Sequence, residues 1–248
     1  MEVIVILITT FIAAILSSMS GGGTSIISIP VFLSFGISLP ITLSIQRINS
    51  ACWTLPAARN YLKGRRIDWL FLFLFSIIGL IGAYFGVLVV ISINQIYLEK
   101  IIGSIIVFLV IYLYFQKDLG LKENISKYSA KRKLLSYPFA LILGFYESIL
   151  GTGNAILFTI VAFVTRGFDF IDAMGHYYVI AFIWVSFAAI LFIQKGYFNL
   201  YLTVPAIIGS TLGGYIGSKY ARNRGNKFIK FFFIIVGGLL GVKLIIGI

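Results

Sequence analysis

Charge is scarce in this chain, and acid is scarcest: 11% of residues are charged, with 8 Asp and Glu against 20 Lys and Arg. A soluble domain carries roughly 25% charged residues, so an ordinary water-soluble globule is excluded. The single cysteine, Cys52, sits in an apolar run, which removes any disulfide framework or cysteine-rich metal centre. His176 is the one histidine, no His/Cys cluster exists to hold a metal, and no G-x-x-x-x-G-K-[ST] run exists to cradle a nucleotide phosphate. Neither a cofactor nor a metal is therefore expected. Glu2 is the only early charge and glycines interrupt the first apolar run, so no cleavable signal is expected and that run is read as part of the fold.

What is present is apolar. Hydrophobic residues make up 60% of the chain and the mean hydropathy is +1.03, in blocks of about twenty residues, the length that crosses hydrocarbon as a helix. The expected fold is an all-α polytopic membrane protein. A formal charge of +12 would point to nucleic acid in a soluble protein. Here the bases lie in short loops between apolar spans, so the partner is an anionic lipid surface, not nucleic acid.

Residues 41–62, 69–92, 96–116, 172–194, 198–218 and 228–247 each read as one crossing. Two stretches do not: 3–36 is broken at Ser20-Gly21-Gly22-Gly23-Thr24 and 134–166 at Gly151-Thr152-Gly153-Asn154, each reading as two shorter helices that meet at a glycine break. Sliding the chain by 131 residues lays Gly22 on Gly153, Gly36 on Gly167, Trp53 on Trp184 and Gly82-x-Tyr84-x-Gly86 on Gly213-x-Tyr215-x-Gly217. The organisation expected is a first membrane repeat (1–116), a basic cytoplasmic linker (117–133) and a second repeat (134–248). Three basic clusters (Arg59 to Arg66, Lys117 to Lys133 and Lys219 to Lys230) together with Arg166 hold 16 of the 20 bases, and the positive-inside rule places them all on the cytoplasmic side. The loops Ser92 to Gln95 and Gln194 to Gly196 then fall outside. This makes the repeats inverted, makes each broken segment a hairpin dipping into the membrane, and leaves both termini extracytoplasmic in a multi-pass cell (plasma) membrane protein.

Irregular backbone in a bilayer is tolerated only where protein buries it or where it lines a cavity. Two inverted breaks bring Ser20, Gly21, Gly22, Gly23 and Thr24 towards Gly151, Thr152, Gly153 and Asn154, with the N-H groups of the following helices aimed at a central anion. Close helix packing is the alternative role for these glycines. Arg47, flanked by Gln46 and Asn49, can fork-bind an oxyanion, or can instead snorkel to the interface. Glu147 is either a proton-coupling carboxyl or a buried tie within its hairpin. His176 either titrates near neutrality or is structural.

These motifs resemble those of the TauE/SafE sulfite exporter family. Gly144-Phe145-Tyr146-Glu147 followed by Gly151-Thr152-Gly153 is similar to its second-repeat G-F-Y-acid run and G-x-G break. Ser20 to Gly23 with Pro30, Gly36 and Pro40 resembles its first-repeat opening, Ile45-Gln46-Arg47-Ile48 its T-N-R-I run, and Lys63 to Trp69 its basic loop. The departures fall at the candidate site: Ile45 and Gln46 stand where Thr and Asn are common, Glu147 where Asp is, Thr152 where Pro is, and His176-Tyr177-Tyr178 where Thr-Thr-Lys is. The resemblance implies a secondary transporter of small anions such as sulfite, sulfonates or related organosulfur and carboxylate anions, working by alternating access. A passive channel, or a membrane-embedded enzyme or assembly factor, stays open as an alternative, as does a homo-oligomer.

Overall fold

The computed structural model of the chain describes residues 2–89, 95–123, 129–149 and 151–246. Within them the chain is all helix: α1 (Glu2–Ser20), α2 (Thr24–Ser34), α3 (Leu39–Leu62), α4 (Trp69–Val89), α5 (Gln95–Phe115), α6 (Ala130–Leu134), α7 (Tyr137–Ile149), α8 (Asn154–Arg166), α9 (Phe170–Gln194), α10 (Leu200–Arg224) and α11 (Asn226–Ile246). Five of them, α1, α4, α9, α10 and α11, are long and apolar enough to cross a membrane. α3 has 24 residues but a polar middle, and Gln46, Arg47 and Asn49 there are all buried in the protein. The outer faces of the bundle are apolar, with Trp69, Leu70, Phe108, Phe115 and Leu239 each more than three-fifths exposed. Such a surface suits lipid and would aggregate in water. The expected loop at 92–94 and Lys127 of the linker lie outside the described residues.

Each broken segment is two helices that meet at its glycines, but the limbs of the first are unequal: α1 has 19 residues and α2 has 11, whereas α7 and α8 have 13 each. The apolar run before Ser20 extends for about 28 Å as a helix, enough to cross by itself, so the break comes late in it. At the end of the basic stretch, Ser129 caps the short helix α6 by accepting from the Arg132 N-H.

The helix starts repeat along the chain. Leu39, Trp69 and Gln95 begin α3, α4 and α5, and Phe170, Leu200 and Asn226, each 131 residues on, begin α9, α10 and α11. The packing repeats too: α1 lies along α10 as α7 lies along α4, while α3 pairs with α9 and α5 with α11. Helix directions follow from the residues that meet. Gly209, Gly213 and Gly217 meet Leu7, Phe11 and Ile15, so α1 and α10 are parallel, and Gly82 and Gly86 meet Leu141 and Phe145, so α4 and α7 are parallel. The equivalent helices α3 and α9 run antiparallel, since Leu62 at the end of α3 meets Gly175 near the start of α9. In α5 and α11, Gly103 meets Gly241 and Val110 meets Gly237, again antiparallel. The halves thus pack as an antiparallel pair, which inverted repeats require.

The repeated G-x-Y-x-G pattern has a packing cause. A Cβ on Gly82 or Gly86 would overlap the carbonyls of Leu141 or Phe145, and one on Gly213 or Gly217 those of Phe11 or Ile15. With hydrogen there, backbones approach and van der Waals contact replaces the hydrophobic drive that lipid removes.

The basic clusters meet at one end. Arg65 pairs with Asp169 and, at 2.7 Å, with Asp172; Arg166 pairs with Asp68 at 3.0 Å; and Arg222 donates to the Lys63 carbonyl. Partial burial opposes the Arg65 charge, but hydrogen bonds to Asp172 and Asp169 outweigh it and raise its pKa above the usual guanidinium range. Given the helix directions, Glu2 and Ile246 lie at the opposite end of the bundle.

Candidate functional site

Each break is made by glycines in left-handed backbone: Gly21, Gly22 and Gly23 at φ 90°, 124° and 115°, and Gly151 and Gly153 at 67° and 76°. Other residues adopt these angles at a cost of about 1–2 kcal/mol each, and a run of left-handed or alternating backbone of this kind stops a helix. Gly23 and Gly153 are the N-caps of α2 and α8, and neither helix start has a side-chain cap. The breaks meet, with Ser25 Oγ and Thr152 Oγ1 2.6 Å apart.

Beside this meeting point lies a cavity of about 40 Å³, room for roughly three waters. Gly22, Gly23, Thr24 and Ser25 form one wall, Gln46, Arg47, Ser50, Trp53 and Thr54 of α3 another, and Glu147, Gly151 and Tyr177, Ala181 and Val185 of α9 close it. α3 supplies this wall because its polar residues recur every three or four positions on one helical face.

Arg47 is 5% exposed, and it does not snorkel. Its Nη2 donates to the carbonyls of Ser148 (3.1 Å) and Ile149 (3.4 Å), at the C-terminal end of α7, where carbonyls lack helical partners. Its Nη1 is 3.9 Å from Glu147 Oε1, and its Nε is buried without a partner among the described residues. Glu147 Oε2 accepts from Asn154 Nδ2 (2.6 Å) and from the Tyr177 hydroxyl (2.8 Å), so this carboxyl ties α7 to α8 across the break. Gln46 Nε2 donates to Thr24 Oγ1 at 2.7 Å, joining α3 to the first break. Trp53 has a buried indole N-H with no partner among the described residues, while its repeat equivalent, Trp184, donates to the Ser76 carbonyl at 2.9 Å.

Of the residues singled out in the sequence, Gly22, Gly23, Thr24, Gln46, Arg47, Glu147 and Gly151 line this cavity. The others stand behind it or away from it. Asn49 donates to Gln46 Oε1 at 3.4 Å, Thr152 holds Ser25, and Asn154 holds Glu147. Ser20 donates to the Leu16 carbonyl at 2.8 Å; Gly21 packs on Ala155, and Gly153 on Ile106 and Leu240. His176 belongs to the ion-paired end: Nδ1 donates to the Asp172 carbonyl at 2.7 Å and Nε2 accepts the Asp68 N-H at 3.1 Å. Sequence reasoning missed Ser25, Ser50, Trp53 and Thr54, while Tyr177 is placed at the site only through its departure from the family's run. The Ser50-x-x-Trp53-Thr54 spacing after Gln46-Arg47 was the available signal, since it continues one helical face.

Residues 6–244 match the family described as Sulfite exporter TauE/SafE. Among curated proteins, the chain is similar to a "Probable membrane transporter protein" of Haemophilus influenzae, 24% identical over 95% of this chain and 91% of that one. It is also similar to "Probable membrane transporter protein ORF9" of a Sinorhizobium species, 25% identical over 96% of this chain and 90% of that one. A third relative, "Probable membrane transporter protein YfcA" of Escherichia coli K12, is 24% identical over 97% of this chain and 88% of that one. No solved structure matches. The match covers nearly the whole chain, both breaks and the cavity included, and this multi-pass membrane protein belongs to the TauE/SafE sulfite exporter family.

Proposed function

We propose that this protein is a secondary transporter of small oxyanions, sulfite, sulfonates or short carboxylates, moved by alternating access between its two halves. The observation that carries this reading is the set of unspent donors at the cavity. Among the described residues, Arg47 Nε and Trp53 Nε1 are buried without partners, and the start of α2 beside them has no side-chain cap. Buried donors are nearly always satisfied, and an oxygen-rich anion is the ligand that satisfies all three. The membrane-transporter names of the relatives agree with this class.

The ion-paired end is the cytoplasmic face in this reading, which leaves both termini outside the plasma membrane. Arg65, Asp68, Arg166, Asp169 and Asp172 tie that end shut. Their repeat equivalents, Gly196, Asn199, Phe35, Ser38 and Ile41, have no charge. Opening inward therefore breaks ion pairs that opening outward does not, which fits a gated transporter better than a permanently open channel.

The test is thermal stabilisation of the detergent-purified protein by sulfite, thiosulfate, methanesulfonate and acetate. At least one sulfur oxyanion raises the melting temperature, and Trp53→Phe, which keeps the ring and removes the N-H, weakens its apparent affinity about tenfold. Equal stabilisation of both proteins removes Trp53 from the site; no stabilisation by any anion removes the anion reading.

A further inference from the structure

An anion in this cavity meets a carboxylate as well as a guanidinium. Arg47 and Glu147 are both buried, at 5% and 6% exposure, and face each other at 3.9 Å. When both are ionised their charges cancel, so the cavity offers an entering anion no net positive charge. The two oxygens of Glu147 differ. Oε2 is saturated by Asn154 and Tyr177, whereas Oε1, among the described residues, has only the distant approach of Arg47, too long for a hydrogen bond. The groups that face this carboxyl are Arg47 from α3, Tyr177 from α9 and the neutral Asn154 from α8, with Tyr146 of α7 near Arg47 and Tyr177. None is a second acid that would take the proton in its place. His176 adjoins Tyr177 in α9, but its two ring nitrogens are engaged by the Asp172 carbonyl and the Asp68 N-H, and Asp172 itself pairs with Arg65 in the ion-paired cluster.

We propose that the cavity takes one small monoanion together with one proton carried on Glu147 Oε1, so that the two cross as an electroneutral pair. This rests on the reading of the cavity as the transport site. The proton neutralises the carboxylate, leaves Oε2 accepting its two hydrogen bonds and turns the Arg47 charge towards the anion. One anion and one proton enter from one side and leave to the other, with no net charge moved. The class of substrate is a small, singly charged oxyanion that fits between the two breaks and α3.

The test uses methanesulfonate, whose charge is constant from about pH 5 to about pH 8, so only the protein titrates. Calorimetry in two buffers of different ionisation enthalpy counts the protons taken up on binding. Because the bound state needs the proton, affinity is highest at low pH and falls up to tenfold per pH unit above the carboxyl's pKa in the empty site. The expected result is close to one proton per anion on the high-pH side. Glu147→Gln keeps an acceptor for Asn154 and Tyr177 and is expected to bind with a flat pH profile. Binding by the unaltered protein with no proton uptake overturns the proposal and leaves the anion site standing, and so does a pH slope that persists in Glu147→Gln. Should that variant fail to fold, the proton count on the unaltered protein decides alone. Failure of every anion in the thermal panel overturns the site reading and this proposal with it.

Discussion

Arg47 joins two repeats by itself: it stands on α3, caps the open carbonyls of α7 and faces Glu147. Removing one partner of a buried pair leaves the other charge stranded, which costs about 3–5 kcal/mol, whereas removing both charges costs far less. Arg47→Ala is therefore expected to lower the melting temperature sharply, and Arg47→Ala with Glu147→Gln to recover part of the loss, as a double-mutant cycle on melting would measure. Additive losses would mean that the two groups do not act as a pair. Much of this was legible in the sequence, because a guanidinium and a carboxyl inside apolar runs must be paired or face a cavity. That they face each other was not, since they lie a hundred residues apart and nothing local links them. Trp53 was hidden for a different reason: a tryptophan in a membrane chain reads as an interface anchor, and only burial without a partner for its N-H sets it apart.

The glycine breaks were the plainest feature of the sequence at the scale of elements, and their positive φ angles explain why glycine stands there. The unequal limbs of the first hairpin were not legible, because hydropathy locates a break without saying how much of the run before it stays helical. Gly153 and Gly36 separate the cost of the backbone angle from the cost of crowding. Both have positive φ, at 76° and 74°, but a side chain at Gly153 meets Ile106 and Leu240 while one at Gly36 meets open space. In proteoliposomes, Gly153→Leu is expected to reduce anion flux more than tenfold and Gly36→Leu less than twofold. Equal losses would assign the effect to strain in the backbone and not to the meeting of the two breaks.

The scarcity of charge told more about the whole molecule than the abundance of apolar residues did. Hydropathy gave only a membrane protein, while the few bases marked one face, and the structure gathers Arg65, Arg166 and Arg222 at one end of the bundle. Substrate identity stayed illegible, because the residues that depart from the family's runs, Gln46, Glu147 and Thr152, are those at or beside the cavity. The central claim is that this cavity moves anions against their gradient. Purified protein in sealed vesicles, given labelled sulfite or methanesulfonate outside and an imposed proton gradient, tests it most directly. Accumulation above the equilibrium level, abolished by collapsing the gradient, is the predicted result; flux that stops at equilibration under every gradient would contradict it.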